Sequence, residues 1–524
     1  MGPVSVRTRS LAQTGILIAI LFLAGLIPLF VTPVIPSIDF YNHMARFFAI
    51  AHIDASPVLH SNYQTHWSLM PDIAGDIVFP PILRLVPPSI GGHIIAILVL
   101  AVLYGGALYL NRALTGRVSL LVAVLLLPLL YSYIFNWGFT NFLLGLGLAF
   151  WAAGWWFLHR ERPGLAIPVG CILALVVFFA HGVAFVLYGV MILCLEFGIF
   201  LNAPSRKWIS LARAIPPLAV QAVIPFGLFI FWKLAAAASY SDAALAAVPR
   251  VLPPGASMPA GHFSLYRLGT ILRVEESHLY WFDIATFAVQ AVLIGFLVWR
   301  GRLSIAKPAW PVLGVAILMI AVVPSMAFGA WYISDRMPLF AAMFLLSALS
   351  LSPLSWTRES RIACLMLGVI VCARIGVVAI NWHGYGDRYA EFQSVAAKIP
   401  AGSRLMGVSV GAGHHETGIP RCQMYAHLAV MQYPLAAPLF SDKSLHPLVL
   451  AGALKQAEDR LHMLAPVPPD EDTTDFNPYM TAAIAAGYQY LLVCNAQLLP
   501  HPIPENLIVV ASTPNFALVR AKVP

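Results

Sequence analysis

Charge is scarce in this chain. Asp, Glu, Lys and Arg together make up 10% of its 524 residues, where a soluble protein of this size carries roughly a quarter. Most of the molecule therefore has no water-facing surface. Low-complexity tracts and internal repeats are also missing, which removes the inverted-repeat signature of many transporters. So is any phosphate-cradling glycine loop: "VGAGHHETG" follows an expected strand at Leu405–Val410 but does not fit GxGxxG. The loops expected on the inner side are short and hold no P-loop, kinase core or dinucleotide fold. Cysteine is sparse, at six. Cys171, Cys194, Cys364 and Cys372 lie in apolar runs, where small, weakly polar side chains pack well. Cys422 and Cys494 lie near the C-terminus, where an oxidising compartment would permit a disulfide.

What is abundant is apolar sequence, at 60% of residues with a mean hydropathy of +0.80. A helix needs about 20 apolar residues to cross the hydrocarbon. Runs of that kind predict about eleven spans, near 11–31, 91–111, 118–134, 140–158, 165–180, 182–201, 214–233, 283–299, 309–329, 337–354 and 362–381. The first run is too long for a signal-peptide core and reads as a retained span. Leu165 to Leu201 is long for one span and short for two, and reads as a tight hairpin turning at His181-Gly182. The net charge of +8 gathers in alternate loops: Arg7 and Arg9, Arg112 and Arg117, Arg160 and Arg162, Arg206, Lys207 and Arg213, Arg300, Arg302 and Lys307, Arg358 and Arg361. That is the positive-inside pattern. The excess charge reports topology, with the N-terminus inside and the C-terminus outside, and not a nucleic-acid partner.

Three segments interrupt the membrane pattern, all on the expected outer side. Residues 32–90 form a first loop with proline-rich punctuation ("MPDIAGDIVFPPILRLVPP"), and residues 234–282 form a second. Residues 382–524 change grammar. "YAEFQSVAAKIPAGSRLMGVSV" reads as helix, turn and strand, while "YQYLLVCN", "NLIVVAS" and "FALVRA" read as strands. The expected fold is an α-helical polytopic membrane domain over 1–381 followed by a soluble α/β domain over 382–524.

The first loop opens with "DFYNHMARFFAIAHI". Asp39 and His43 are four residues apart, on one face of a helix. The apolar positions among them predict a helix lying in the membrane interface. Asp39 reads either as an N-cap or as a chemical group where lipid-borne and water-borne reactants meet.

The stretches "DFYNHMAR", "NWGFTNFLLGLGLAF", "FFAHGVAF" and "SDRMPLFAAMFLL", with the retained first span and the outer C-terminal domain, resemble the GT-C glycosyltransferases. The resemblance covers most of the membrane half. It implies a bacterial inner-membrane enzyme that moves a sugar from a polyprenyl-phosphate donor to a lipid, glycan or protein acceptor at the periplasmic face, with inversion. It also implies that the first-loop acid, here Asp39, serves as base or positions the acceptor. The family often pairs that acid with a second one close by; here Ile38 and Phe40 flank it, so a divalent metal is not indicated.

The chemistry needs a base, a cation for the departing phosphate and groups for the sugar. Asp39 with His43 as orienting partner suits the first. Arg336 and Arg374 suit the second, since arginine's forked donors match phosphate and an ionisable residue within a span is a functional candidate; Lys233, Arg267 and Arg273 are less distinctive. His66, Trp67 and Asp72, Asn136, Trp137 and Asn141, and Glu275, Glu276 and His278 are the outer-side polar and aromatic groups that suit the third, though aromatics there also anchor spans in the interface. His414, His415 and Glu416 are compact but lack helical ligand spacing, and Glu196 has no obvious partner. Rival readings are a flippase for a lipid-linked glycan, a non-catalytic envelope scaffold, and a glycan polymerase or ligase of another fold.

Overall fold

The computed structural model describes residues 4–204, 208–239, 265–327, 331–352, 357–409, 422–441, 445–465, 477–498 and 503–522. Most of the expected second loop (240–264) and the His414–His415–Glu416 cluster lie outside the described residues. Among those described, eight helices are long and apolar enough to cross a membrane: Pro88–Thr115, Leu120–Trp137, Thr140–His159, Pro163–Ala180, Gly182–Asn202, Leu211–Leu234, Tyr280–Trp299 and Arg358–Ala396. Ala12–Gly25 and Lys307–Val322 are shorter apolar helices. The 165–201 run is indeed a hairpin, turning at His181.

The expected spans at 118–134 and 337–354 depart from a simple helix. The 118–134 run is broken into Leu120–Leu126, a 3-10 turn at Pro128–Tyr131 and Tyr133–Trp137. Pro128 has no N–H to continue the ladder, and the Ser132 hydroxyl accepts from Phe135 N–H to start the last turn. The 337–354 run starts earlier, as Ile333–Ser347, then gives way to a strand at Leu349–Leu351. That strand (β3) pairs antiparallel with Leu303–Ile305 (β2). Arg117 donates to Leu351 O nearby, so loops expected to share the basic side do meet on one face.

Close packing between spans relies on small residues. A Cβ on Gly106 would stand 2.3 Å from Gly147 O, and one on Gly147 would stand 2.7 Å from Leu103 Cα. The Pro88–Thr115 and Thr140–His159 helices therefore touch backbone to backbone. Residues such as Ile172, Val223, Phe231 and Val292 stay exposed, as a lipid-facing surface requires.

On the opposite face the first loop and the C-terminal segment pack together. Tyr63–Thr65 (β1) pairs antiparallel with Leu448–Leu450 (β5), and Tyr63 Oη donates to Ala437 O at 2.5 Å. The C-terminal sheet has the order β4-β6-β8-β7, with β4 at Leu405–Ser409, β6 at Tyr490–Cys494, β7 at Leu507–Ser512 and β8 at Phe516–Ala521. Cys494 is disulfide-bonded, and the four cysteines of the spans are free; the Cys422 side chain lies outside the described residues.

The Phe40–His52 helix is buried along nearly all of its length, and several of its polar positions find partners within the protein. Arg46 pairs with Asp76 at 2.6 Å, both side chains fully buried, and Asn42 Oδ1 accepts from Phe440 N–H at 2.7 Å.

Candidate functional site

Asp39 is held by the broken span behind it. Ser37 Oγ donates to Phe135 O at 2.8 Å, Ile38 N–H to Asn136 O at 3.0 Å and Asp39 N–H to Trp137 O at 2.9 Å. The next residue, Gly138, has φ +87°, and a Cβ there would stand 2.3 Å from Phe40 N. Only glycine suits both demands. Asp39 starts the helix through its backbone, and its carboxylate makes no capping hydrogen bond. The cap reading therefore does not account for the side chain.

Asp39, His43 and Arg336 line one cavity of about 610 Å³. Asp72 and His181 join them, and aromatic and aliphatic residues such as Phe178, Val186, Phe226 and Trp232 make most of the wall. Arg336 Nη1 lies 3.1 Å from His181 Nε2, and its guanidinium sits over the Phe139 ring at 4.6 Å and near the Phe142 ring at 5.2 Å. Asp72 adopts φ +69°. Its Oδ1 accepts from Gly182 N–H at 3.0 Å, and its Oδ2 lies 3.9 Å from His181 Nε2. Burial pushes the Asp72 carboxyl up to about 6, opposed by the Gly182 N–H and by Arg336 and Arg46. A third of this side chain is accessible, but within the cavity rather than in open water. The carboxylate is thus poised to exchange a proton near neutrality.

No protein-family profile matches the chain, and none of the curated proteins compared with it is a significant match. Solved structures do match. ArnT from Cupriavidus metallidurans bound to undecaprenyl phosphate aligns over 97% of this chain and 98% of its own, at 11% identity and a TM-score of 0.51. The apo state of the same protein aligns over 98% of each chain, at 12% identity and a TM-score of 0.50. The chain shares the fold of that protein. At such identity the likeness speaks for architecture alone.

Within this fold the remaining sequence candidates lie elsewhere. Arg374 does not reach the cavity. It is buried against Glu275 at 2.9 Å and Asp283 at 2.9 Å, and also donates to the Thr286 hydroxyl. Gln290 holds the same Glu275 at 2.7 Å, and Ser277 holds Asp283. Glu276 pairs with Arg273 at 2.7 Å and accepts from Asn136 Nδ2 at 3.3 Å. Glu275 and Glu276 are therefore spent on ion pairs, and His278 is half-buried and does not line the cavity. Asn136, whose carbonyl holds Ile38, links this network to Asp39. Trp137 packs on Tyr332, a cavity residue, at 4.6 Å. His66 lines a second hollow with Lys455 and Asp459, and Trp67 is exposed. Of the lesser cations, Arg267 donates to the carbonyls of Ile320 and Ala321, and Lys233 sits over Trp232. Glu196 does have partners: Trp156 Nε1 at 2.9 Å and Arg160 at 3.8 Å.

Sequence reasoning missed His181 as a site residue and missed Phe440 and His446, which also line the cavity. His181 stood inside the quoted "FFAHGVAF", so a signal existed. For Phe440 and His446, some 400 residues from Asp39 in the chain, no local pattern pointed to the site. Among the described residues no group of three or more His, Cys, Asp or Glu side chains is placed to hold a metal ion.

Proposed function

We propose that the protein is a glycosyltransferase, hexosyl or pentosyl, that takes a sugar from a polyprenyl-phosphate donor and transfers it to a lipid, glycan or protein acceptor at the periplasmic face of a bacterial inner membrane. One observation carries the reading. A carboxylate (Asp39) and a buried guanidinium (Arg336) share a cavity whose remaining lining is largely aromatic and aliphatic. An isoprenoid chain suits those walls, and a phosphate suits the arginine fork. The fold of a protein crystallised with undecaprenyl phosphate supports the same donor class.

The acceptor hydroxyl attacks the anomeric carbon while the bond from that carbon to the phosphate oxygen breaks. The electron pair leaves with the phosphate, held by Arg336, and the hydroxyl proton passes to Asp39. His43, one helical turn along, orients the acid's surroundings. Attack opposite the leaving group inverts the anomeric carbon.

The test uses purified protein in lipid nanodiscs, wild type against Asp39→Asn. Each is incubated with a panel of polyprenyl-phosphate sugars and host lipid extract, and new glycolipids are followed by mass spectrometry. Turnover lost in the folded Asp39→Asn protein is the expected result. Donor binding without turnover in wild type would instead favour a flippase or scaffold.

A further inference from the structure

We propose that Phe440 and His446, from the C-terminal segment, together with His43 form the subsite that holds the donor's sugar ring, so that the C-terminal segment selects the sugar. This rests on the reading of the cavity as a donor site. All three side chains line it. Phe440 stands between the two imidazoles, its ring centroid 5.1 Å from His43 at 64° and 5.7 Å from His446 at 26°. The Phe440 N–H bond to Asn42 fixes this arrangement to the helix that carries His43.

Nδ1 of His43 and Nδ1 of His446 are buried and have no hydrogen-bond partner. Burial first, then the positive charge of Arg46, hold both rings well below the usual histidine range. Arg336 adds to the effect on His43, and His43 to that on His446. Both imidazoles are therefore neutral at pH 7. A neutral imidazole offers one donor and one acceptor, which matches a hydroxyl and gives a phosphate no charge to pair with. Among the described residues lining the cavity, the cation is Arg336. An aromatic face flanked by two such groups fits a sugar ring, whose carbon-bound hydrogens form an apolar face and whose hydroxyls form a polar rim. The ring is joined to its phosphate through a single oxygen, so a phosphate at Arg336 keeps the sugar in this cavity.

The test titrates nanodisc-embedded protein with undecaprenyl phosphate and, separately, with undecaprenyl phosphate carrying glucose, mannose, galactose or arabinose. Wild type is expected to prefer at least one sugar-bearing carrier over the bare one. His446→Ala should abolish that preference, a loss of about tenfold, while binding of the bare carrier is unchanged. His446→Asn, which restores a group at the Nδ1 position, should recover part of it, and Phe440→Leu should weaken it independently. If His446→Ala and Phe440→Leu both leave the preference intact, the subsite is wrong. It is equally wrong if only the acceptor's KM rises. Failure of wild type to bind the bare carrier would overturn the donor-site reading itself.

Discussion

His181 Nε2 faces Arg336 Nη1 at 3.1 Å while its Nδ1 accepts from Val183 N–H at 3.1 Å. A neutral imidazole has one ring proton and can accept at only one of these nitrogens. Arg336 therefore has a donor that the protein alone does not fully satisfy, and its Nε has no partner either. Phosphate oxygens in the cavity would take both. Arg336→Lys keeps the charge and loses the fork, so affinity for undecaprenyl phosphate should fall about tenfold. Equilibrium binding in nanodiscs checks this, with unaltered affinity counting against phosphate contact.

Arg374 should behave differently. Its loss leaves Glu275 and Asp283 as uncompensated buried charges, which costs about 3–5 kcal/mol. Arg374→Gln is expected to lower unfolding resistance in mixed micelles, while the folded fraction binds undecaprenyl phosphate as wild type does.

Gly138→Ala introduces strain at a left-handed backbone position and a clash with the Phe40 amide. The relief available is movement of Asp39. A displacement of about 1 Å at a reacting group costs up to about a hundredfold in rate, so kcat should fall far more than donor affinity. A variant with both parameters at wild-type values would show that Asp39 needs no such positioning.

Asp72 gives opposite signs for rate and stability. Its ionised form accepts from Gly182 and faces Arg336, so turnover should decline as pH falls through about 6. Because its folded pKa is raised, the stability it confers is fullest below the ordinary carboxylate range and is lost as pH rises through about 6. Asp72→Asn, tolerated at positive φ, should flatten the acid limb of the rate profile and raise the melting temperature at pH 8. Rate profiles and thermal scans across pH 5–8 read both effects.

Much of the membrane half was legible because a lipid solvent writes its demands locally. Every backbone polar group must be satisfied within its own segment, so apolar length and loop charge suffice to mark out spans such as Pro163–Ala180 and Gly182–Asn202. Asp39 was legible for a related reason: it is the first acid after the first apolar run. The break at Pro128 was less so, since a proline inside an apolar run kinks some helices and ends others.

The sequence by itself determined the membrane class, spans such as Pro163–Ala180 and Gly182–Asn202, and Asp39 as a candidate. Tertiary structure alone decided that Arg336 belongs to the cavity and Arg374 to an ion network, although both are arginines of apolar segments. It also decided that Phe440 and His446 meet His43. Partner choice among buried charges depends on which helices cross nearby, and a cavity is assembled from distant segments. Neither leaves a trace in local spacing.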